Sequence, residues 1–292
     1  MGGNVWFISG ASSGFGKHIA QEALSRGDAV IATSRKGTTL KDLEAAGALL
    51  LDLDVTSDDA TIQVAFQAAG DKHGAITHFV NAAGYILTGA IEAISAQEAF
   101  DSFNNNVLGV MNMSRNQVAY LRPRRAGGVI ANFGSVGSWY GGAAFAHYAA
   151  AKWAVSGFTE SLHEEVKEFG IRATVIEPGY FRTGFLNEGG GNCRSPRNEM
   201  RDEYTGTGVA GVMDFLGQAN RNQPGDVVKA ARIIVDVLTG TGVAAGKEFP
   251  IRLLLGPDCV RDVKAKMART EALIREWEPT ITSTDHEDVK KA

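Results

Sequence analysis

The chain has 292 residues, a formal net charge of −4, 44% apolar residues and 35 glycines, so it can bury a large core and is neither disordered nor low-complexity. Its mild acidity, without a lysine/arginine stripe, excludes a nucleic-acid surface, and Arg122, Arg124 and Arg125 beside Pro123 read as a solvated helix end. No apolar run approaches the ~20 residues needed to cross a bilayer, so no membrane partner is expected.

The first apolar run, Val5-Trp6-Phe7-Ile8, reads as a buried strand over 5–9. The turn Ser9-Gly10-Ala11-Ser12-Ser13-Gly14-Phe15-Gly16 follows it, and a helix over about 15–26 carries Ile19, Ala20, Ala23 and Leu24 on one face. Strand, Gly-rich turn and helix start together make an anion site, because glycines let a pyrophosphate approach the backbone and helix-start amides point at it. The glycine spacing is G-x-x-x-G-x-G, at Gly10, Gly14 and Gly16, rather than the general G-x-G-x-x-G.

A second strand, over 29–33, ends in Ser34-Arg35-Lys36. A dinucleotide fold that binds NAD places an acid there for the adenosine ribose. Here that acid is missing, and a guanidinium can grip a ribose phosphate bidentately while a hydroxyl donates to it. The expected cofactor is therefore NADP(H), read by Ser34 and Arg35. Further strands fall over 49–53, followed by Asp54-Val55, over 78–81, followed by Ala82-Ala83-Gly84, and over 129–133, followed by Gly134-Ser135. Helices are expected over 57–73, 96–121 and 145–169, the last carrying Tyr148 and Lys152. A strand over 173–176 leads into Pro178-Gly179-Tyr180-Phe181-Arg182-Thr183.

From 184 to 224 the chain is rich in Gly and polar residues yet holds Val209, Val212, Met213, Phe215 and Leu216 at helical spacing. A segment of that length reads as a substrate lid carrying a short amphipathic helix. A helix over 226–238, a strand over 249–254 and a helix over 258–277 follow, with a polar tail from Pro279. Strands alternating with helices predict an α/β fold: a doubly wound, Rossmann-type parallel sheet of about seven strands with helices on both faces. The expected organisation is one catalytic domain over 1–256, then a C-terminal helix and tail over 257–292. Ligands on such a sheet bind beyond the carboxyl ends of the strands, where the Gly-rich turn, Asn81, Ser135 and Pro178 all lie.

Tyr148 and Lys152 share a helix face one turn apart, with alanines between them. A phenol titrates near 10 and is a poor acid or base at neutral pH, so a nearby cation is expected to pull it towards the working range. Adjacent helical residues point about 100° apart, so His147 is not expected to join this pair.

Together the Gly-rich turn and Tyr148-x-x-x-Lys152 resemble the short-chain dehydrogenase/reductase family, over most of the chain. The further matches stand in family order. The resemblance implies that Asp54-Val55 contact the adenine and that Asn81, Ala82, Ala83 and Gly84 form a turn beside the cofactor ribose. It makes Asn106 the central-helix Asn that holds a water linking Lys152 to solvent, and Ser135, thirteen positions before Tyr148, the catalytic hydroxyl in preference to Ser138. It also implies that Pro178, Gly179 and Phe181 contact the nicotinamide end, and that Thr183 contacts the nicotinamide carboxamide and sets which face is presented. Lys152, with Tyr148 beside it, is implied to hold the nicotinamide ribose. The expected activity is hydride transfer between nicotinamide and a ketone or secondary alcohol, with Tyr148 as general acid/base. Ser135, Trp139, Phe145, Tyr180 and Phe185 suggest an apolar pocket for a small hydrophobic carbonyl or alcohol. The segment 177–185, Arg35 and the C-terminal extension look closest to the hydroxysteroid- and retinol-dehydrogenase-like branch. Gly134 departs from the usual pattern, which often has a second Ser there. Family members are commonly dimers or tetramers, so a homodimer or homotetramer is expected. A strand beginning by residue 5 leaves no room for a signal peptide, and Trp6 breaks the myristoylation pattern, so the expected location is the cytoplasm. Cys193 and Cys259 lie far apart without metal-ligand spacing, so no metal is expected. The alternative reading is an NADP-binding regulator of the same fold without turnover, against which the intact Ser135, Tyr148 and Lys152 argue.

Overall fold

The computed structural model describes residues 3–187 and 192–286. The strands are β1 (Val5–Ser9), β2 (Ala29–Ser34), β3 (Leu49–Asp52), β4 (His78–Asn81), β5 (Ile86–Leu87), β6 (Gly128–Phe133), β7 (Ile171–Pro178), β8 (Cys193–Arg194) and β9 (Arg252–Leu255). The helices are α1 (Gly14–Ser25), α2 (Lys41–Ala45), α3 (Asp59–His73), α4 (Ala96–Phe103), α5 (Gly109–Leu121), α6 (Ala146–Val166), α7 (Gly208–Ala219), α8 (Val227–Thr239) and α9 (Pro257–Ile281). Seven strands form one sheet in the order β3-β2-β1-β4-β6-β7-β9, with every neighbouring pair parallel.

Side chains alternate across a strand, and β1 uses both faces. Trp6 and Ile8 pack against Ile19, Ala20 and Ala23 of α1 and Ala231, Ile234 and Leu238 of α8. Phe7 faces the other way, onto Ile62 and Phe66 of α3, Met113 of α5 and Val166 of α6. Two-sided burial is why these strands read as continuous apolar runs rather than alternating ones. The chain runs outward from β1 to β2 and β3, then returns to β4 on the other side of β1. That reversal opens a crevice beyond the carboxyl ends of β1 and β4.

The fold follows the expected architecture, with β7 longer than the expected 173–176 and β9 beginning at Arg252 rather than 249, and it differs in organisation as follows. The helix expected over 96–121 is interrupted by a π-helical turn, Asn104–Leu108, between α4 and α5. Such single wide turns re-aim a side chain, here Asn106. The short helix α2 and the two-residue pairing of β5 with β8 were not anticipated, being too brief for a periodic signal. The last helix runs through Pro279 to Ile281 instead of ending at Trp277, and residues 287–292 of the expected tail lie outside the described residues. Among the described residues no helix is long and apolar enough to cross a membrane, and no cluster of metal-ligating side chains occurs.

Candidate active site

A single cleft beyond the sheet's carboxyl edge collects most of the residues singled out in the sequence. Its floor is the Gly-rich turn. Gly10 has φ +68°, and a Cβ there would lie 2.6 Å from the Ala83 amide nitrogen, so the turn is pressed against Ala82-Ala83 at the end of β4. A Cβ on Gly16 would meet the Gly10 carbonyl oxygen at 2.5 Å, so α1 starts hard against its own turn. Only glycine fits either place. Gly16 itself does not face the cleft; it sets the approach, while Gly10, Ser12, Ser13, Gly14 and Phe15 line it. Ser13 is the N-cap of α1, but its side chain does not cap the helix. It accepts instead from Asn192 Nδ2 at 3.3 Å. A backbone cradle at a helix start, without a side chain in the way, fits a pyrophosphate.

At the adenosine end Ser34, Arg35, Leu53, Asp54 and Val55 line the same cleft. Ser34 differs from its expected role, because its hydroxyl already donates to the Lys36 carbonyl at 2.7 Å and accepts from the Lys36 amide at 3.2 Å. It shapes the turn that presents Arg35. Arg35 is exposed and has no ion pair among the described residues, which leaves its guanidinium available to an anion. Asp54 Oδ1 accepts from the Thr56 amide at 2.9 Å and its hydroxyl at 2.7 Å, closing a turn after β3.

At the other end, Tyr148 and Lys152 project from α6 towards the 135–137 turn. A Cβ built on Gly137 would be 3.6 Å from both Ser135 Oγ and Tyr148 Cε1, so hydroxyl and phenol ring flank one point. Ser135 Oγ accepts from the Gly137 amide at 3.1 Å. Ser138, the other hydroxyl, is buried and donates to the Lys152 carbonyl at 2.9 Å while accepting from the Ser135 amide at 3.2 Å. Its role is therefore structural, and Ser135 is the hydroxyl that lines the cleft. Lys152 Nζ donates to the Phe133 carbonyl at 2.7 Å and lies 5.6 Å from the centre of the Tyr148 ring. Asn106 is fully buried in the π turn, with Nδ2 donating to the Tyr85 carbonyl at 2.8 Å and Oδ1 accepting from the Tyr85 amide at 3.0 Å. A Cβ on Gly84 would meet Asn106 Oδ1 at 3.1 Å and Lys152 Nζ at 3.8 Å, so both groups converge behind that glycine.

The electrostatics correct one expectation. Burial pushes the Tyr148 phenol up to about 12, against a smaller downward pull from the Ser135 hydroxyl. Burial likewise pulls the Lys152 ammonium down to about 8. Lys152 does not bring Tyr148 towards neutrality here, because desolvation of the phenol is the larger effect and the ammonium spends its bond on Phe133.

Two other assignments are corrected. The Asn81 side chain does not face the cleft: Nδ2 donates to Asn132 Oδ1 at 2.7 Å and Gln117 Oε1 at 3.0 Å, and Oδ1 accepts from Gln117 at 2.8 Å. That buried network ties β4 to β6 and α5, and the cleft receives Ala82, Ala83 and Gly84 instead. Trp139 also leaves the pocket. Its indole donates to Glu177 Oε2 at 2.9 Å, lies under the Arg252 guanidinium at 4.5 Å and packs beside Cys259 and Val263 of α9. Gly134 acquires a reason too, since a Cβ there would stand 2.9 Å from Val175 Cγ2 and 3.0 Å from Glu177 Cγ.

Phe145, Tyr180 and Phe185 line the cleft as expected, together with Pro178, Gly179, Phe181 and Thr183. Asp258, at the start of α9, accepts from the Tyr180 amide at 2.7 Å, so the last helix anchors this wall. The described part of 184–224 docks onto the body: Leu216 and Val212 of α7 pack with Leu186, Ile86 and Phe185. Tyr140, the aromatic neighbour of Trp139 in the sequence, lines the cleft, whereas sequence reasoning missed Tyr85, Ile86, Asn192 and Gln223. They come from irregular segments or, for Ile86, from the two-residue strand β5, too short for any periodicity to point to them.

Comparison with known proteins shows the family and the fold. The family model for short chain dehydrogenases matches residues 4–191. The chain is 35% identical over 260 residues to the oxidoreductase BOA17 of Botryotinia fuckeliana, spanning 88% of this chain and 90% of that one. A short-chain dehydrogenase structure from Streptomyces avermitilis superposes with TM-score 0.85 at 33% identity, covering 98% of this chain and 100% of the other. A variant of the actinorhodin polyketide ketoreductase, crystallised with NADPH, superposes with TM-score 0.69 at 25% identity, covering 87% of this chain and 97% of that one. The chain belongs to the short-chain dehydrogenase/reductase family and is an oxidoreductase of that family.

Proposed function

We propose that the protein is an NADP(H)-dependent oxidoreductase that interconverts a hydrophobic ketone and its secondary alcohol. The observation that carries the reading is that the Ser135 hydroxyl and the Tyr148 phenol, both lining the cleft, hydrogen-bond to one another. NADP(H) supplies or accepts the hydride. The residues that would hold it are the Gly10–Gly16 cradle, Arg35 at the ribose phosphate, Asp54-Val55 at the adenine, Ala82–Gly84 at the ribose, and Pro178 to Thr183 at the nicotinamide end. Arg35 supports NADP(H), because an exposed guanidinium where an acid would select NAD favours a phosphate.

In the reducing direction Tyr148 Oη gives its proton to the carbonyl oxygen as the new C–H bond forms. A phenol held near 12 keeps that proton until the oxygen becomes basic, which suits a general acid. Ser135 donates to the same oxygen and fixes its place. Lys152, buried and poised near 8, sits behind Tyr148 and refills its proton, with Asn106 ordering the route to solvent beside Gly84. The wall formed by Ile86, Phe145, Tyr180, Phe185, Leu186 and Leu216 supports a bulky aromatic or alicyclic substrate, as does the likeness of the 177–185 segment to the hydroxysteroid and retinol branch. The same reading takes the chain as one catalytic domain with α9 as its buttress, assembled as a homodimer or homotetramer that light scattering after size exclusion would count.

The test is NADPH oxidation against a panel of bulky aromatic and alicyclic ketones, with NADH and Tyr148→Phe as controls. Turnover with NADPH, lost in Tyr148→Phe while NADPH still binds, supports the mechanism. Turnover retained in that variant sinks it.

A further inference from the structure

The C-terminal helix α9 is docked only at its start. Cys259 and Val263 are buried with Val136, and Trp139, Tyr140 and Leu254 pack beside them. Lys266 Nζ reaches the Trp153 ring at 5.9 Å, and beyond that contact the helix leaves the body. Every residue from 267 to 281 is exposed. At 1.5 Å per residue the free part is about 22 Å long. Met267, Leu273, Ile274, Trp277 and Ile281 are each about half exposed on it. An apolar patch of that extent marks a surface that something covers.

The apolar positions are ordered. Val260, Val263, Met267, Thr270, Ile274, Trp277 and Ile281 alternate by three and four residues, making one seam through three heptads with a single polar step at Thr270. Leu273 widens the seam on one flank. Pro279 falls on the opposite face of the helix and leaves the seam unbroken. A seam of this period is the surface on which a second helix packs.

The charges choose the occupant. From 264 to 269 the charged residues are Lys264, Lys266 and Arg269, whereas from 271 to 278 they are Glu271, Glu276 and Glu278 with one arginine, Arg275. The free helix is therefore basic near the body and acidic towards its tip. An anionic lipid surface would repel that tip. A parallel copy would set basic half beside basic half and crowd two bodies at one end. A copy running the opposite way meets opposite charge at both ends, the self-complementarity that a two-fold contact requires. We propose that α9 joins two copies of this chain through an antiparallel α9–α9 seam. With the two-fold between Glu271 and Ala272, Met267 of one copy stands beside Trp277 of the other, and Lys264 beside Glu278. Among the described residues α9 holds two ion pairs, Arg261 with Asp262 at 2.8 Å and Arg275 with Glu271 at 3.0 Å. Lys264 and Glu278 are thus left to pair across the seam, and Arg275 offsets Glu271 where it meets its own copy. The inference rests on the proposed homo-oligomer, but not on the cofactor or the substrate.

The test is light scattering after size exclusion, on a dilution series of the full chain at low salt, with thermal unfolding to check that each variant is folded. Ile274→Glu should halve the mass, since it sets a carboxylate into the seam from both copies. Lys264→Glu and Glu278→Lys should each weaken assembly by about tenfold, because each creates two like-charge contacts across the seam. Residues 264 and 278 lie about 21 Å apart on one helix, too far to interact within a chain. An equimolar mixture of these two single variants should therefore regain the wild-type affinity, as every cation again faces an acid. A wild-type oligomer whose mass Ile274→Glu leaves unchanged assembles through another face and overturns this inference alone. Mass lost in Ile274→Glu without rescue in the mixture overturns the antiparallel pairing. A wild type that stays monomeric overturns the homo-oligomer as well, and leaves the seam to lipid or to another protein.

Discussion

Lys152 costs the ligand-free fold stability, and the cost can be measured. The side chain is 5% exposed, its ammonium has one protein partner in the Phe133 carbonyl, and burial pulls its pKa from the ordinary 10.5 to about 8. At 1.36 kcal/mol for each tenfold change in proton affinity, that gap corresponds to about 3 kcal/mol. The folded chain releases this proton before the unfolded chain does. Between about pH 8 and 10.5 the unfolded state thus holds more protons, and stability rises with pH through that window. Below about pH 8 the full penalty is present. Lys152→Met removes the titration while keeping an unbranched chain of similar length, although it leaves the Phe133 carbonyl unpaired, a pH-independent loss on the order of 1 kcal/mol. Chemical denaturation of both proteins without cofactor, at steps from pH 7 to 10.5, should show Lys152→Met gaining on wild type by about 3 kcal/mol at the low end relative to the high end. Tyr148 and the other groups titrate in both proteins and cancel in the difference. A stability difference independent of pH across this range would refute the argument that desolvation sets the state of Lys152.

Other expectations follow from the same geometry. Arg35→Asp should weaken NADPH binding by about tenfold or more and spare NADH, because it replaces a free guanidinium with a charge that repels phosphate; equal effects on both, by fluorescence titration, would defeat the cofactor assignment. Gly134→Ser should destabilise the fold by roughly 1–3 kcal/mol in denaturant titration, since the added Cβ would press on Val175 and Glu177, and an unchanged midpoint would show that this wall yields. His78 is stacked on Trp6 with ring centres 4.4 Å apart, and burial pulls its pKa from 6.5 to about 4. Its neutral form is the folded one, so stability should fall as pH drops from about 6.5 to 4, by about 3 kcal/mol from this group alone. His78→Phe should flatten that limb, and an acid limb as steep as wild type would refute it.

Much of the fold was legible because local and global signals coincide. Val5–Ser9 and His78–Asn81 occur as expected, since a strand buried on both faces must be apolar throughout and the turns beyond it need glycine. The order of the chemical residues along the chain was equally readable, because Gly10, Ser135, Tyr148 and Thr183 each stand just past a strand or on one helix face. Residue type and spacing do not carry environment. Nothing in the 96–121 segment announces the π turn that aims Asn106, because residue types alone do not mark where a helix widens by one residue. Asn81 and Trp139 have the right types and places, and only the packed molecule directs their side chains into the Asn132–Gln117 and Glu177–Arg252 networks. The proton affinities of Tyr148 and Lys152 were decided by tertiary structure as well. Spacing put the two groups together, but the depth of their burial sets each pKa, and that depth is the work of loops and helices distant in sequence.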